Sequence, residues 1–287
     1  MNRIAALQFD QRLTPARPDL ADERLRGRIR AERYSAGTTM RVGAAAAPLR
    51  REPRPDAALD TEALMGEAVT VYDEDEGWAW VQLQSDGYVG YLPSESLRAD
   101  TPEPTHRVAA LRTFIYPGPN LKLPPLGFAG LGASVAVQDQ DGGYARLASG
   151  GFIFAAHLTP LDAHEADFAA VAERLVGTPY LWGGKTSLGL DCSGLVQLSL
   201  AAAGILAPRD TDMQQATLGE ALEPTPDLAG LHRGDLIFWK GHVAIARDPT
   251  SIVHANAYHM AVTIEPIATA VARIQASGFP LTSVRRL

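Results

Sequence analysis

Two small all-β barrels followed by an α+β unit is the multi-domain architecture that the 287-residue sequence predicts. Three observations predict it: an internal repeat, period-2 alternation within each copy, and a change of pattern near residue 161. In the repeat, Arg41-Val42 recurs as Arg107-Val108, Pro53 as Pro119, Gly66 as Gly132, Val71 as Val137 and Gly77-Trp78 as Gly143-Tyr144, all 66 positions apart. After that aromatic the offset drops to 64, pairing Gly87-Tyr88-Val89 with Gly151-Phe152-Ile153, as a hairpin two residues shorter would produce. Constant spacing over about 40 positions marks two copies of one unit. Within the first copy, Ala68-Val-Thr-Val-Tyr72, Trp78-Ala-Trp-Val-Gln-Leu83 and Tyr88-Val-Gly-Tyr-Leu92 alternate between turn residues, the pattern of short barrel strands. Trp78 and Trp80 recur in one strand, and one is expected in the barrel core with the other lining a groove.

The third segment reads differently. Phe168, Val171, Ala172 and Leu175 form one stripe of a helix over 164–176, with Asp162 as its expected cap. Leu195, Val196, Leu198, Ala202 and Ile205 define a second, almost wholly apolar helix that ends at Gly204. Four β-like runs follow, at 235–239, 242–247, 251–256 and 260–265, so the unit is a helix pair followed by an antiparallel meander. The expected division is an N-terminal arm at 1–37, barrels at 38–100 and 101–160, and the α+β unit at 161–287. The arm is too polar to form its own core and is expected to pack on another part of the chain, with a short helix around 20–29.

Composition narrows the function. Hydrophobic residues make up 46%, enough for sizeable cores, and the net charge of −7 comes without any basic block, which excludes a nucleic-acid footprint. No apolar run is long enough for a membrane helix, and the N-terminus carries no secretory h-region, so a cytoplasmic protein is expected. The single cysteine, Cys192, rules out an internal disulfide framework and a multi-thiolate metal site. His106, His157, His164, His232 and His259 show no ligand spacing and read as surface histidines, and no metal or cofactor is expected.

Cys192 lies in Gly189-Leu-Asp-Cys-Ser-Gly-Leu-Val196, at the first turn of the second helix. A lone cysteine is more often a small buried hydrophobe. Here Asp191 is a natural N-cap, and the helix N-terminus behind it favours a thiolate, so a lowered pKa is expected. Asp248-Pro249-Thr250 is a turn signal; if those three residues form the turn, residue 244 faces 254 and 242 faces 256. His242 and His254 then share one sheet face as diagonal neighbours, with Asn256 opposite His242. Two solvated strand histidines would show the same spacing. Beside a helix-opening cysteine, the pair favours nucleophilic catalysis, one imidazole taking the thiol proton and the other orienting it.

"GEAVTVYDEDEGWAWVQLQSDGYVGYLPSESL" resembles a bacterial SH3 (SH3b) domain, and the second repeat a more divergent one. "PYLWGGKTSLGLDCSGLVQ", "RGDLIFWKGHVAIA" and "IVHANAYHMAV" together resemble the NlpC/P60 family of papain-like cysteine peptidases, in that family's direct order. One departure is Ala244, where many members carry glycine. The resemblance implies Cys192 as nucleophile, His242 as base, His254 as orienting residue, and Tyr180 as a carbonyl-polarising hydroxyl beside the Cys192 N–H. It further implies a substrate pocket of Asp191, Ser193, Trp182, Asp210 and Thr211, completed from the first barrel by Tyr88 and an acid taken as Glu62. The implied reaction is hydrolysis of the γ-D-Glu–diamino acid bond in murein peptides with a free N-terminal L-Ala. Two alternatives stand beside it: a wall-peptide binding protein with a degenerate peptidase domain, and a wall-degrading endopeptidase or amidase. Other signals fail: Gly184-Lys185-Thr186 ends like a phosphate loop, but Pro179 stands where that loop needs glycine. Oligomeric state and the identity of the diamino acid are not encoded in any motif.

Overall fold

The computed structural model describes residues 9–223, 228 and 230–287, so the reading of residues 1–8 lies outside it. The arm packs along the first barrel. Leu20 is fully buried against Tyr72 and Trp80, and the Arg17 guanidinium stacks 4.5 Å above the Trp80 ring. No α-helix forms around 20–29. Leu20–Asp22 is instead a strand paired in parallel with Arg33–Ser35, and only Glu23–Leu25 turns, as a 3-10 helix capped by Asp22. All three residues of that strand are buried on the barrel, so tertiary burial overrides the local helical pattern. Neither tryptophan enters the barrel core. Two residues apart, they share the outer face, where the arm covers Trp80 and Trp78 remains half-buried, while Ala79 and Val81 point inward.

The first barrel is one seven-stranded sheet in the order Leu59–Leu64, Ala46–Arg50, Val89–Pro93, Trp78–Leu83, Ala68–Asp75, Thr38–Val42, Leu97–Arg98. The second repeat follows the same element order from His106–Val108 to Leu158–Pro160, split into three small sheets. The expected 64-residue offset does not hold. Trp80 pairs with Tyr91 in the first copy and Arg146 with Phe152 in the second, so Tyr91 answers Phe152 at an offset of 61. The second hairpin is five residues shorter, not two, and the residues around Tyr88 have no counterpart there.

Among its described residues the C-terminal unit has four α-helices: α1 (Phe168–Arg174), α2 (Cys192–Ala202), α3 (Thr211–Thr217) and α4 (Ile267–Ala276). Its sheet has six strands, ordered Glu220–Leu222, Leu281–Arg286, Leu236–Trp239, His242–Asp248, Ser251–Asn256, Ala261–Pro266. The last strand of the chain returns to pair with Leu236–Trp239, an addition the meander pattern does not reveal. Helices α1 and α2 cover one face through Val171, Leu195 and Leu198, and α4 covers the other through Ile267, Ala270 and Ile274. The cap of α1 is Asp167, not Asp162: its Oδ1 accepts from the N–H groups of Ala169 and Ala170.

The central hairpin has the expected register with a different turn. Ile245 faces Val253 and Ala246 faces Ile252, which sets 244 against 254 and 242 against 256. The strands reach Asp248 and Ser251, leaving a two-residue turn, and a bulge between Ala246 and Asp248 supplies the missing residue. The Asp248 carboxylate secures the turn by accepting from the N–H groups and hydroxyls of Thr250 and Ser251.

Candidate active site

Helix α2 opens at Cys192. Asp191 is its N-cap, in extended backbone, and its Oδ1 accepts from the Gly194 N–H at 2.7 Å. A Cβ on Gly194 would approach the Gly184 carbonyl oxygen to 2.2 Å, so only glycine lets this first turn dock on the preceding loop. The Cys192 sulfur lies 3.7 Å from Thr211 Oγ1 and also accepts from the Val243 N–H, the residue after His242. Cys192, Tyr180, His242, Lys240, Tyr258 and Arg273 line one cavity of about 260 Å³.

On the hairpin, His242 Nε2 and His254 Nδ1 are 3.0 Å apart, and His254 is fully buried. Burial pushes His242 down to about 4 and His254 down to about 2, the facing His242 adding to the latter. Burial also pushes the Cys192 thiol up to about 11, reinforced by the Asp191 carboxylate. This reverses the expectation of a lowered thiol pKa: desolvation and an adjacent carboxylate outweigh the helix N-terminus. The ligand-free site therefore holds a neutral thiol beside a neutral imidazole. Burial, then the proximity of Cys192 and Asp191, raises Tyr180 as well, which keeps its hydroxyl protonated.

Beyond Thr211 the first barrel contacts the residue before α3. The Tyr88 hydroxyl donates to Asp210 Oδ2 at 3.1 Å, and Arg12 of the arm donates to the same oxygen at 2.8 Å. Burial raises the Asp210 carboxyl against the pull of Arg209 and Arg12. Tyr88 is raised by burial and by the neighbouring carboxylates of Asp210 and Asp60.

Residues 177–276 match the NlpC/P60 family, and residues 49–97 match the bacterial dipeptidyl-peptidase SH3 domain. The C-terminal unit carries an NlpC/P60 domain. A γ-D-glutamyl-L-lysine dipeptidyl-peptidase of Bacillus cereus (strain ATCC 10987) is 29% identical over 243 residues, 74% of this chain and 71% of that protein. One of the same name from Bacillus subtilis (strain 168) is 27% identical over 200 residues, 64% of this chain and 65% of that protein. The crystal structure of an NlpC/P60 family protein from Bacillus cereus ATCC 10987 has a TM-score of 0.73 at 24% identity, covering 87% of this chain and 99% of that one, a likeness of fold.

Cys192, Tyr180 and His242 line one cavity, with His254 bonded to His242 behind it. Thr211 touches Cys192, and Asp210 with Tyr88 of the first barrel lies next to Thr211 but outside that cavity, while other expected residues are held differently. Asp191 is committed: Arg209 binds it in a two-pronged pair, Nη1 to Oδ1 at 2.9 Å and Nη2 to Oδ2 at 2.6 Å, so it is no free acid for a substrate amine. Ser193 is buried behind the helix, its hydroxyl accepting from Arg209 at 2.9 Å. Glu62 accepts from the Lys185 N–H at 2.9 Å, tying the barrel to the peptidase instead of facing Tyr88. Trp182 is 72% exposed and outside the cavity that Cys192 lines. The acid of the first barrel that neighbours Tyr88 is Asp60, which a bulge between Arg50 and Leu49 turns out of the alternation. Arg209, Arg12 and Glu265 also escape sequence reading. Only Glu265 left a signal: carrying the hairpin register through the next turn sets Thr263 opposite His254 and Glu265 one diagonal step away.

Proposed function

We propose that the protein hydrolyses the γ-D-Glu–diamino acid bond of murein peptides that carry a free N-terminal L-Ala, as in the recycling of wall peptides. In this reading Cys192 is the nucleophile. Because thiol and imidazole are both neutral in the ligand-free site, His242 removes the proton as sulfur attacks the carbonyl carbon. His254 orients His242, while the Tyr180 hydroxyl and the Cys192 N–H receive the developing oxyanion. The imidazolium then protonates the departing amine of the diamino acid, and water, deprotonated by His242, releases the acyl group. The names of the Bacillus relatives support the bond assignment.

One observation carries the specificity: Tyr88 of the first barrel donates to Asp210, next to the Thr211 that touches Cys192. A barrel side chain at that position walls off the acyl side and leaves room for a short peptide end. Both bonds described for Asp210 fall on Oδ2, which leaves Oδ1 to accept an ammonium group; Asp60 adds negative charge nearby but is itself paired with Arg51 at 2.7 Å. We further propose that residues 101–160 are a second SH3b domain with a structural role. The test compares L-Ala-γ-D-Glu-diamino acid with its N-acetylated form. An acylated amine cannot donate as an ammonium to the free Oδ1 of the half-buried Asp210 and adds bulk at the pocket end, so kcat/KM is expected to fall about a hundredfold. Similar values for the two peptides would refute the amine pocket and favour a wall-degrading endopeptidase. Cys192→Ala should abolish hydrolysis of both while keeping the circular dichroism spectrum, and retained turnover would end the cysteine mechanism.

A further inference from the structure

The polar chain does not stop at His254. Glu265, 7% exposed at the end of strand Ala261–Pro266, reaches across one diagonal step so that its Oε2 lies 2.8 Å from His254 Nε2. Arg273 of α4 donates to the same oxygen. A carboxylate held by a guanidinium offers only acceptors, so the proton of His254 sits on Nε2. His254 is neutral in its buried position, which leaves Nδ1 as a bare lone pair. That lone pair faces His242 Nε2 at 3.0 Å, so the Nε2 of His242 must be the donor. The only basic nitrogen left on His242 is then Nδ1.

We propose that Glu265, anchored by Arg273, is a positioning residue that fixes the tautomers of both imidazoles and thereby makes Nδ1 of His242 the base for Cys192. Glu265 touches neither sulfur nor substrate; it acts through two rings. Without it, His254 can place its proton on Nδ1, His242 must turn its lone pair inward to accept, and the proton then on its Nδ1 faces the thiol as a competing donor. The chemistry rests on the reading of Cys192 and His242 above, but the tautomers themselves do not.

Two measurements separate these. In the full-length, uniformly 15N-labelled protein at pH 7.5, long-range 15N–1H correlation of the histidine rings should show both His242 and His254 as Nε2–H tautomers. Glu265→Ala should mix the two tautomers. It should also lower kcat on L-Ala-γ-D-Glu-diaminopimelate about a hundredfold with KM within about threefold, since a tautomer error acts on the transition state. Glu265→Gln, whose carbonyl can still accept from both His254 and Arg273, should restore kcat to within about tenfold of the parent, a rescue that a merely structural role would not produce. An Nδ1–H tautomer on either ring of the unaltered protein overturns the proposal whether or not the alanine variant folds. So does wild-type kcat in Glu265→Ala, or a glutamine variant as slow as the alanine one. If no murein peptide is cleaved at all, the functional reading fails while the tautomer result stands by itself.

Discussion

The two repeat units share an element order, yet among the described residues only the first bonds to Asp210 and Gln197 of the C-terminal unit. The first is a single seven-stranded sheet around a cluster of twelve buried apolar residues; the second is broken into three small sheets around six. The first covers its flank with the arm, whereas the second leaves Phe114, Leu121 and Leu126 more than half exposed. Loop length makes the functional difference. The five residues missing from the second hairpin are the stretch that in the first copy holds Asp86, which accepts from Gln197 of α2, and Tyr88, which donates to Asp210. Each repeat has its own core, and the hairpin of the first also bonds to Asp210 and Gln197 of the C-terminal unit.

The largest effect that could break this contrast lies where the first barrel meets α2. Arg209, 1% exposed, joins Thr61 of the barrel to Asp191 of the helix cap. Arg209→Ala leaves the Asp191 carboxylate buried and unpaired, a loss of about 3–5 kcal/mol in stability. Thermal denaturation should fall by roughly 10 °C, and hydrolysis should fall with it; an unchanged Tm would mean that the barrel is held by other contacts.

Acid should act next, and in the peptidase rather than in the barrels. The folded-state pKa of His242 is about 4, below the unfolded value near 6.5. Its contribution is therefore complete above pH 6.5 and decays as pH falls toward 4, by up to about 3 kcal/mol. The ring of Trp239 lies 5.6 Å from that of His242 and gives a fluorescence probe of this sheet. Acid unfolding that begins in the barrels instead would contradict the assignment. For Cys192 the sign is opposite: with its pKa pushed up to about 11, alkylation by iodoacetamide in the ligand-free protein should have a midpoint above the ordinary thiol value of about 8.5. A midpoint below 8 would restore the helix-dipole expectation.

Smaller effects sharpen the contrast. Tyr88→Phe removes one hydroxyl from Asp210 and should lower kcat/KM for the free-amine peptide about tenfold, with Tm nearly constant. In the second barrel, Arg107 donates to the carbonyl oxygens of Ala163, Ala201 and Ala202. Arg107→Ala should lower stability by about 1 kcal/mol and leave kcat/KM unchanged. A change in kcat/KM from Arg107→Ala would show that the second barrel also shapes the site.

Much of the site was legible in sequence because it depends on local chemistry. Asp191 ahead of Cys192 specifies a capped helix opening from four adjacent residues, and a two-stranded hairpin fixes which of its side chains share a face. Even with the wrong turn length the register survived, since the bulge near Arg247 restored the lost residue. The slip in the repeat was not legible, because glycines and aromatics on either side of a shortened hairpin align equally well at the wrong offset.

By itself, then, the sequence determined the order of units, the helix that presents Cys192 and the strand face that carries His242 and His254, all set by periodicities and caps within a few residues. Tertiary structure alone decided the charge states and the partners. The thiol is neutral because packing removes water from it, and Asp191 is spent on Arg209 because the loop before α3 brings the guanidinium within 2.6 Å. Asp60 rather than Glu62 adjoins Tyr88 because a bulge turns it there. Desolvation and ion pairing depend on which distant segments meet, and no window of sequence contains that information.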